Sequence, residues 1–281
     1  MSVRIIIDST TDIKSEIRER FTVVPLSIRF GEDEYIDGVT ITHKEFYEKL
    51  IESDVMPTTS QAPPYLFGEV FEEITGAGDT AVVLTISSKL SGTYQSAVIA
   101  AQDYADKVFV VDSDTVTIGA GILAEYALKL ADDGMDAKSI ADKLEKERGR
   151  VRLIAMLDTL EYLKRGGRIS KTAAIAGGIL SIKPVIGVVN GEISILGKAR
   201  GSKQGNNLLV KEIQETGGVD FGMPVLLGYT GLSDAMLKKY ISDSGFLWES
   251  HTDEIKYSTV GSVVGTHAGP GAIAAAFFHN A

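Results

Sequence analysis

The sequence predicts an α/β protein: an N-terminal domain on a doubly wound, mostly parallel sheet, then a C-terminal α+β domain containing a hairpin. Three observations predict it. In the first half, short apolar runs alternate with helix-length segments, the pattern of parallel strands joined by helical crossovers. That alternation changes character after Gly149. In the second half, two apolar runs meet at Asn190-Gly191, the dipeptide of a type I′ hairpin turn. The chain has 281 residues, room for about two domains of ~150 residues. The expected division is 1–149 and 150–281, with the last residues free to pack back on the first domain.

The elements follow in order. "VRIIID" (Val3 to Asp8) reads as a buried strand with polar residues at its carboxyl end. "DIKSEIRERF" has helical spacing with Asp12 as its N-cap. "TVVPLSIRF" is extended, with Pro25 marking an edge or bend. His43 to Glu52 is helical. Pro63 and Pro64 suit the first turn of a helix that Gly76 ends. "AVVLTIS" is a strand, Gly92 to Ala105 a helix with Tyr94, Ala97, Val98 and Ala101 on its apolar face, and "VFVVDS" a strand. Helices follow near Ile118–Ala131 and Ala137–Lys146. Beyond Gly149, "RLIAML" is a strand and "LEYLKRGGRIS" a short helix broken by two glycines. "PVIGVVNGEISILGKAR" is the hairpin. A helix over Lys203–Glu215, a strand over Pro224–Tyr229, a helix over Asp234–Ser242 and a strand near Glu254–Val260 complete the second domain. For "AIAAAFF", periodicity leaves strand and helix both open.

Composition narrows the function. The formal net charge of −10 argues against a general nucleic-acid binder, which needs a basic face. With no cysteine, disulfides and thiolate metal sites are excluded. The four histidines lack metal-ligand spacing, so no metal site is expected. The first residues carry too short an apolar run for a signal peptide, and no stretch approaches the ~18 apolar residues of a membrane span. A soluble, cytoplasmic protein is expected.

Polar clusters gather where strands give way to helices: Asp8-Ser9-Thr10, Ser87-Ser88 with Ser91-Gly92-Thr93, and Asp112-Ser113-Asp114. In an open α/β sheet, ligands sit beyond these carboxyl ends. Thr58-Thr59-Ser60-Gln61 lies just before a helix. Ser91 is expected at an N-cap and Thr59 to Gln61 within a turn of a helix start, where free N–H groups favour an anion. Serine and threonine also cap helices with no ligand present, each cap contributing ~1 kcal/mol. A convergence of the two clusters on one carboxylate or phosphate is what a ligand reading adds.

Lys164, Arg165, Arg168 and Lys171 form a basic patch around Gly166-Gly167 that would suit a phosphate, an acidic partner, or simply a solvated helix end. "GTHAGPG" places His267 in an expected glycine- and proline-rich loop, whereas His43, His251 and His279 read as incidental. G-x-G-x-x-A occurs from Gly76, Gly119 and Gly269, each without the strand-turn-helix context of a dinucleotide site, and reads as ordinary turns. The sequence contains neither a P-loop nor a G-x-S-x-G elbow. A Ser91–His267–Asp8 triad can be drawn, with nothing in the sequence to show contact.

Taken together, "DSTTD", "PTTSQAPP", "ISSKLSGTYQSA", "VDSDTVTIGAG", "LEYLKRGGRIS", "IKPVIGV" and "GTHAGPGA" resemble the DegV family of bacterial fatty-acid-binding proteins nearly end to end. The resemblance implies a two-domain protein with a long-chain fatty acid buried between the domains. It also implies a lipid-carrying subunit, not an enzyme on its own, that presents the acyl carboxylate to a separate ATP-binding fatty acid kinase subunit, which makes acyl-phosphate for phospholipid metabolism. On motif position, Thr59, Ser60, Ser91 and Gly92 are expected at the carboxylate, and Arg168 and His267 at the head group and partner-facing entrance. Ile175, Ile179 and Leu180, in a stretch rich in small residues, are expected along the acyl chain. No cofactor is expected besides the fatty acid, and transient contact with a membrane surface would serve lipid exchange. Two other readings stay open: a hydrolase or phosphotransferase using Ser91, His267 and Arg168, and a lipid-sensing regulator.

Overall fold

In a computed structural model, the chain folds around two sheets (residues 2–169, 182–248, 251 and 255–280 are described). In chain order the strands are β1 (Val3–Asp8), β2 (Thr22–Val24), β3 (Ser27–Phe30), β4 (Asp33–Ile36), β5 (Thr58–Ser60), β6 (Thr80–Thr85), β7 (Val108–Asp112), β8 (Val151–Met156), β9 (Ile182–Val189), β10 (Glu192–Arg200), β11 (Leu226–Tyr229), β12 (Tyr257–Thr259) and β13 (Ile273–Phe278). The helices are α1 (His43–Glu52), α2 (Pro64–Gly76), α3 (Thr93–Ala101), α4 (Ile118–Asp132), α5 (Ala137–Glu147), α6 (Glu161–Arg165), α7 (Gly201–Glu215), α8 (Ala235–Asp243), α9 (Gly245–Trp248) and α10 (Ser262–Ala268).

The first sheet, in order β2-β1-β6-β7, is wholly parallel. Its strands read as continuous apolar runs because both faces are covered. On β1, Ile6 joins Phe67, Phe71 and Ala97 of α2 and α3, while Ile5 and Ile7 join Leu123, Ala127, Ile140 and Leu144 of α4 and α5. The strand order reverses between β1 and β6, which opens a crevice at their carboxyl ends. A small antiparallel sheet, β4-β3-β5, is inserted after β2.

The second sheet runs β10-β9-β8-β13-β11-β12 and is antiparallel except for the β11–β12 pair. Asn190 and Gly191 take φ of 50° and 79° at the hairpin tip, as a type I′ turn requires. One face carries Ile154, Met156, Val185, Leu227, Ala275 and Phe277 against Leu209 and Ile213 of α7 and Leu237 and Tyr240 of α8. The other presents Leu153, Ala155, Leu157, Ile186, Ala274 and Ala276 toward the first sheet, with α4 packed between the two. "AIAAAFF" resolves as strand β13, because its backbone is paired on both sides, by β8 and β11. Phe278 meets Tyr126 of α4 edge-on.

Several local expectations are corrected. Asp12 caps no helix: the following segment is a 3-10 turn, Ser15–Arg20, and Asp12 is buried at 3% exposure. On α3 the fully buried residues are Thr93, Ser96 and Ala97, so of the expected apolar face only Ala97 is fully buried, with Tyr94, Val98 and Ala101 half-buried beside it. Gly119 and Gly121 stand inside α4 and not in a turn. His267 lies in α10 and not in a loop; the loop begins at Gly269.

Candidate functional site

A cavity of about 400 Å³ lies between the carboxyl ends of the parallel strands and the inner face of the second sheet. That volume falls within the ~300–1,000 Å³ of small-molecule sites. Its floor comes from Leu153, Ala155, Leu157, Ile186, Val188, Ala272 and Ala274, and its roof from Leu26, Ile86, Val116 and α10. Across the floor, Ile186, Ala155, Ala274 and Gly228 pair in one row over four strands, so small side chains leave a trough.

The polar lining includes His267, Thr59, Ser60, Gln61 and Ser91. Thr59 Oγ1 and His267 Nε2 are 2.9 Å apart, joining β5 to α10. Ser91 Oγ lies 2.9 Å from Thr93 Oγ1 and accepts the Thr93 N–H at 3.3 Å. Gly92 packs directly on the Gln61 side-chain amide, where an added Cβ would lie 2.0 Å from Oε1 and would push that amide aside. Gln61 Nε2 in turn donates to Ser96 Oγ at 3.0 Å. Arg168 Nε donates to the Leu90 carbonyl at 3.2 Å and its Nη1 to the Gly166 carbonyl at 2.7 Å, which leaves the guanidinium at an exposed rim. Thr59, Ser60, Ser91, Gly92, Arg168 and His267 therefore line one cavity.

Two details differ from the sequence expectation. Gly92 is the N-cap of α3, so Ser91 stands one residue before it. Thr59 and Ser60 lie on edge strand β5, and α2 starts only at Pro64. The hydroxyls are thus aimed by a strand edge and a loop, and not by two helix starts. Ile175, Ile179 and Leu180, with Lys171, lie outside the described residues.

Electrostatics suit a neutral head-group site. Burial pushes the His267 imidazole down to about 4, and the Arg168 guanidinium pushes the same way. Its Nδ1 is buried without a hydrogen-bond partner. At neutral pH the ring is uncharged. The drawn triad is not assembled: Ser91 pairs with Thr93 and His267 with Thr59, while the Asp8 carboxylate takes the Thr10 hydroxyl and the Ile86 N–H.

The hairpin closes one side of the cavity. Ser87 Oγ donates to the Gly191 carbonyl at 2.8 Å and Lys89 Nζ to the Asn190 carbonyl at 2.8 Å. Val188 and Ile193, which flank the tip, line the cavity.

Sequence reasoning missed a second polar group. Asp12 accepts Thr117 Oγ1 at 2.5 Å and the Gly261 N–H at 2.9 Å, and His43, read as incidental, is beside Gly261 and within electrostatic reach of buried Asp37. The "DSTTD" stretch was the available signal, but its partners are scattered over the chain. Among the described residues, no group of three His, Cys, Asp or Glu is placed to hold a metal ion, and no helix is long and apolar enough to cross a membrane.

The comparisons agree with this architecture. A DegV domain-containing protein of Caldanaerobacter subterraneus subsp. tengcongensis is 37% identical, covering 98% of each chain. A Thermus thermophilus structure, described as fatty acid binding of a DegV family protein, superposes with a TM-score of 0.87 at 31% identity, covering 99% of this chain and 100% of the other. A stearic acid-binding protein of Eubacterium ventriosum superposes at 0.81 with 28% identity, covering 99% and 98%. The family model for uncharacterised proteins of the DegV family matches residues 2–280, and the chain belongs to that family.

Proposed function

We propose that the chain binds a long-chain fatty acid in this cavity, with the carboxyl group at Thr59, Ser91 and His267 and the tail over the small-residue floor. One observation carries the reading: a largely apolar cavity of about 400 Å³ whose wall carries hydroxyls and a neutral histidine that is hydrogen-bonded to Thr59. Burying ~15 methylenes at ~0.8 kcal/mol each is a gross gain on the order of 10 kcal/mol, so the polar end orients the ligand more than it holds it. A carboxyl group hydrogen-bonded to hydroxyls and a neutral imidazole avoids the cost of an unpaired buried charge. The fatty acids named for the Thermus and Eubacterium structures support this class of ligand.

The site presents its carboxyl end to a separate ATP-dependent kinase subunit. In that step a carboxylate oxygen attacks the γ-phosphorus of ATP, acyl-phosphate forms and ADP leaves. This chain orients the nucleophilic oxygen, excludes water from the chain side, and offers Arg168 at the rim to the transferring phosphoryl group. Ser60 and Gly92 complete the head-group wall, and Ile175, Ile179 and Leu180 belong to the proposed acyl path. The division at 149/150 and a cytoplasmic setting with transient membrane contact complete the proposal.

Native mass spectrometry of the purified protein tests the first step: a bound C14–C20 acid (roughly the length a site of this size holds) is expected. A protein that stays empty when offered oleate or palmitate overturns it. Acyl-phosphate formation with ATP and a candidate kinase subunit, absent with either protein alone, tests the second.

A further inference from the structure

His267 sits at one end of α10, and the other end of that helix is held by buried side chains from far away in the sequence. Asp12, from the loop after β1, accepts the N–H of Gly261, the N-cap of α10, at 2.9 Å. Tyr47 of α1 donates its hydroxyl to the Val260 carbonyl at 2.9 Å, one residue earlier. Asp37, 3% exposed, lies close to Ser262, one residue later, but its oxygens and the Ser262 hydroxyl are buried without a hydrogen-bond partner. Two consecutive residues are therefore held from outside by hydrogen bonds, while α10 itself packs on α1, α6, β3 and β5.

Asp12 is itself tightly set. Its backbone carbonyl lies against α4, where a Cβ on Gly121 would come within 1.9 Å of it. Its other oxygen is 2.5 Å from Thr117 Oγ1. Thr117 is the N-cap of α4, lines the cavity, and has φ 51° and ψ −130°. A β-branched residue at positive φ is a strained outlier, and such strain persists where surrounding contacts over-determine it. Asp12 thus joins two cavity walls, the start of α4 and the start of α10, through one carboxyl group.

We propose that Asp12 is a positioning residue for the head-group site: it fastens the start of α10 to the start of α4 and so holds the His267 ring against Thr59, out of water. The inference rests on the head-group reading above only for its ligand consequence. The groups around Asp12 are Asp37, Tyr47, Arg18 and, across Gly261, His43; burial first and the Asp37 charge second push its carboxyl up to about 8, against the pull of its hydrogen bonds and of Arg18. At neutral pH the group is a protonated acid, which asparagine imitates in shape and in donor-acceptor pattern.

The test follows the His267 imidazole by NMR titration, its signals assigned from their loss in His267→Gln. In the wild type the ring is expected to titrate at about 4, where burial pushes it. In Asp12→Ala it is expected to rise by about one pH unit toward the ordinary ~6.5 as α10 loosens and water enters. Asp12→Asn is expected to restore the wild-type value. Oleate binding should weaken about tenfold in the alanine variant and by less than about twofold in the asparagine variant. If Asp12→Ala does not fold, Thr117→Ala severs the same link at its α4 end without placing an atom against the Asp12 carboxyl, and should give the same upward shift. An unchanged His267 titration in whichever of the two alanine variants folds overturns the inference. Because that readout needs no ligand, a wild type that fails to bind oleate refutes the fatty-acid reading without touching this one.

Discussion

The two sheets build the cavity in opposite ways. The parallel sheet is covered on both faces, so it contributes only its ends: the loops with Ser91, Gly92 and Thr117, rich in hydroxyls. The second sheet is covered by α7 and α8 on one face and only in part, by α4, on the other, so it contributes the open part of that face: a floor of Leu153, Ala155, Ile186 and Ala274. Polarity follows from this geometry. Strand ends expose backbone groups that need partners, whereas a sheet face pairs all of its backbone and shows only side chains. An amphipathic ligand matches a site where one sheet's ends meet the other sheet's face.

The sharpest way to break the comparison is to fill the floor. Ala274→Leu adds three carbons over the trough, equivalent to excluding about three ligand methylenes, or roughly 2.4 kcal/mol and about fiftyfold in affinity. Thermal stability should hold or rise, because the new side chain occupies space rather than displacing packing. Calorimetric titration with palmitate and a melting curve together check it, and unchanged affinity would mean that the chain lies elsewhere. Next in size is the polar end: Thr59→Val leaves His267 Nε2 without its hydroxyl and should weaken binding about tenfold, with little change in fold.

pH separates the two regions differently. A raised carboxyl pKa means the folded state binds the extra proton, so stability from Asp12 is present below about 4 and is lost as pH rises toward about 8; Asp8 and Asp37 act in the same sense. A lowered imidazole pKa acts oppositely: the His267 contribution is present above ~6.5 and is lost as pH falls toward about 4, and His43 shares that direction. Asp12→Asn should flatten the decline in melting temperature between pH 6.5 and 8, and His267→Gln the decline below 6.5. A wild-type curve unaltered by either variant would contradict both assignments. The smallest effect belongs to the hairpin: Ser87→Ala removes one hydrogen bond to the Gly191 carbonyl and should speed release of a fluorescent fatty acid a few-fold in stopped-flow.

Much of this was legible in the chain. Apolar runs such as Val3–Asp8 and the Asn190-Gly191 turn carry local physics, so β1 and the β9–β10 hairpin fall where periodicity and turn chemistry put them. Where tertiary pairing decides, local signals fail. "AIAAAFF" becomes a strand because β8 and β11 flank it, and Thr59 lies on a strand because β3 offers an edge. The Asp12 network was illegible for a related reason: its partners Thr117 and Gly261 stand 105 and 249 residues away, and no spacing rule links them.

The Thr59–His267 contact spans 208 residues. Closing so long a loop is entropically slow, and contacts of this range form late. During synthesis, β5 would emerge long before α10 reaches it. The floor waits longer still, because β13 follows α10 in the chain and fills the gap between β8 and β11, so a nascent chain retains a lipid only once translation has passed both and the molecule has closed on itself.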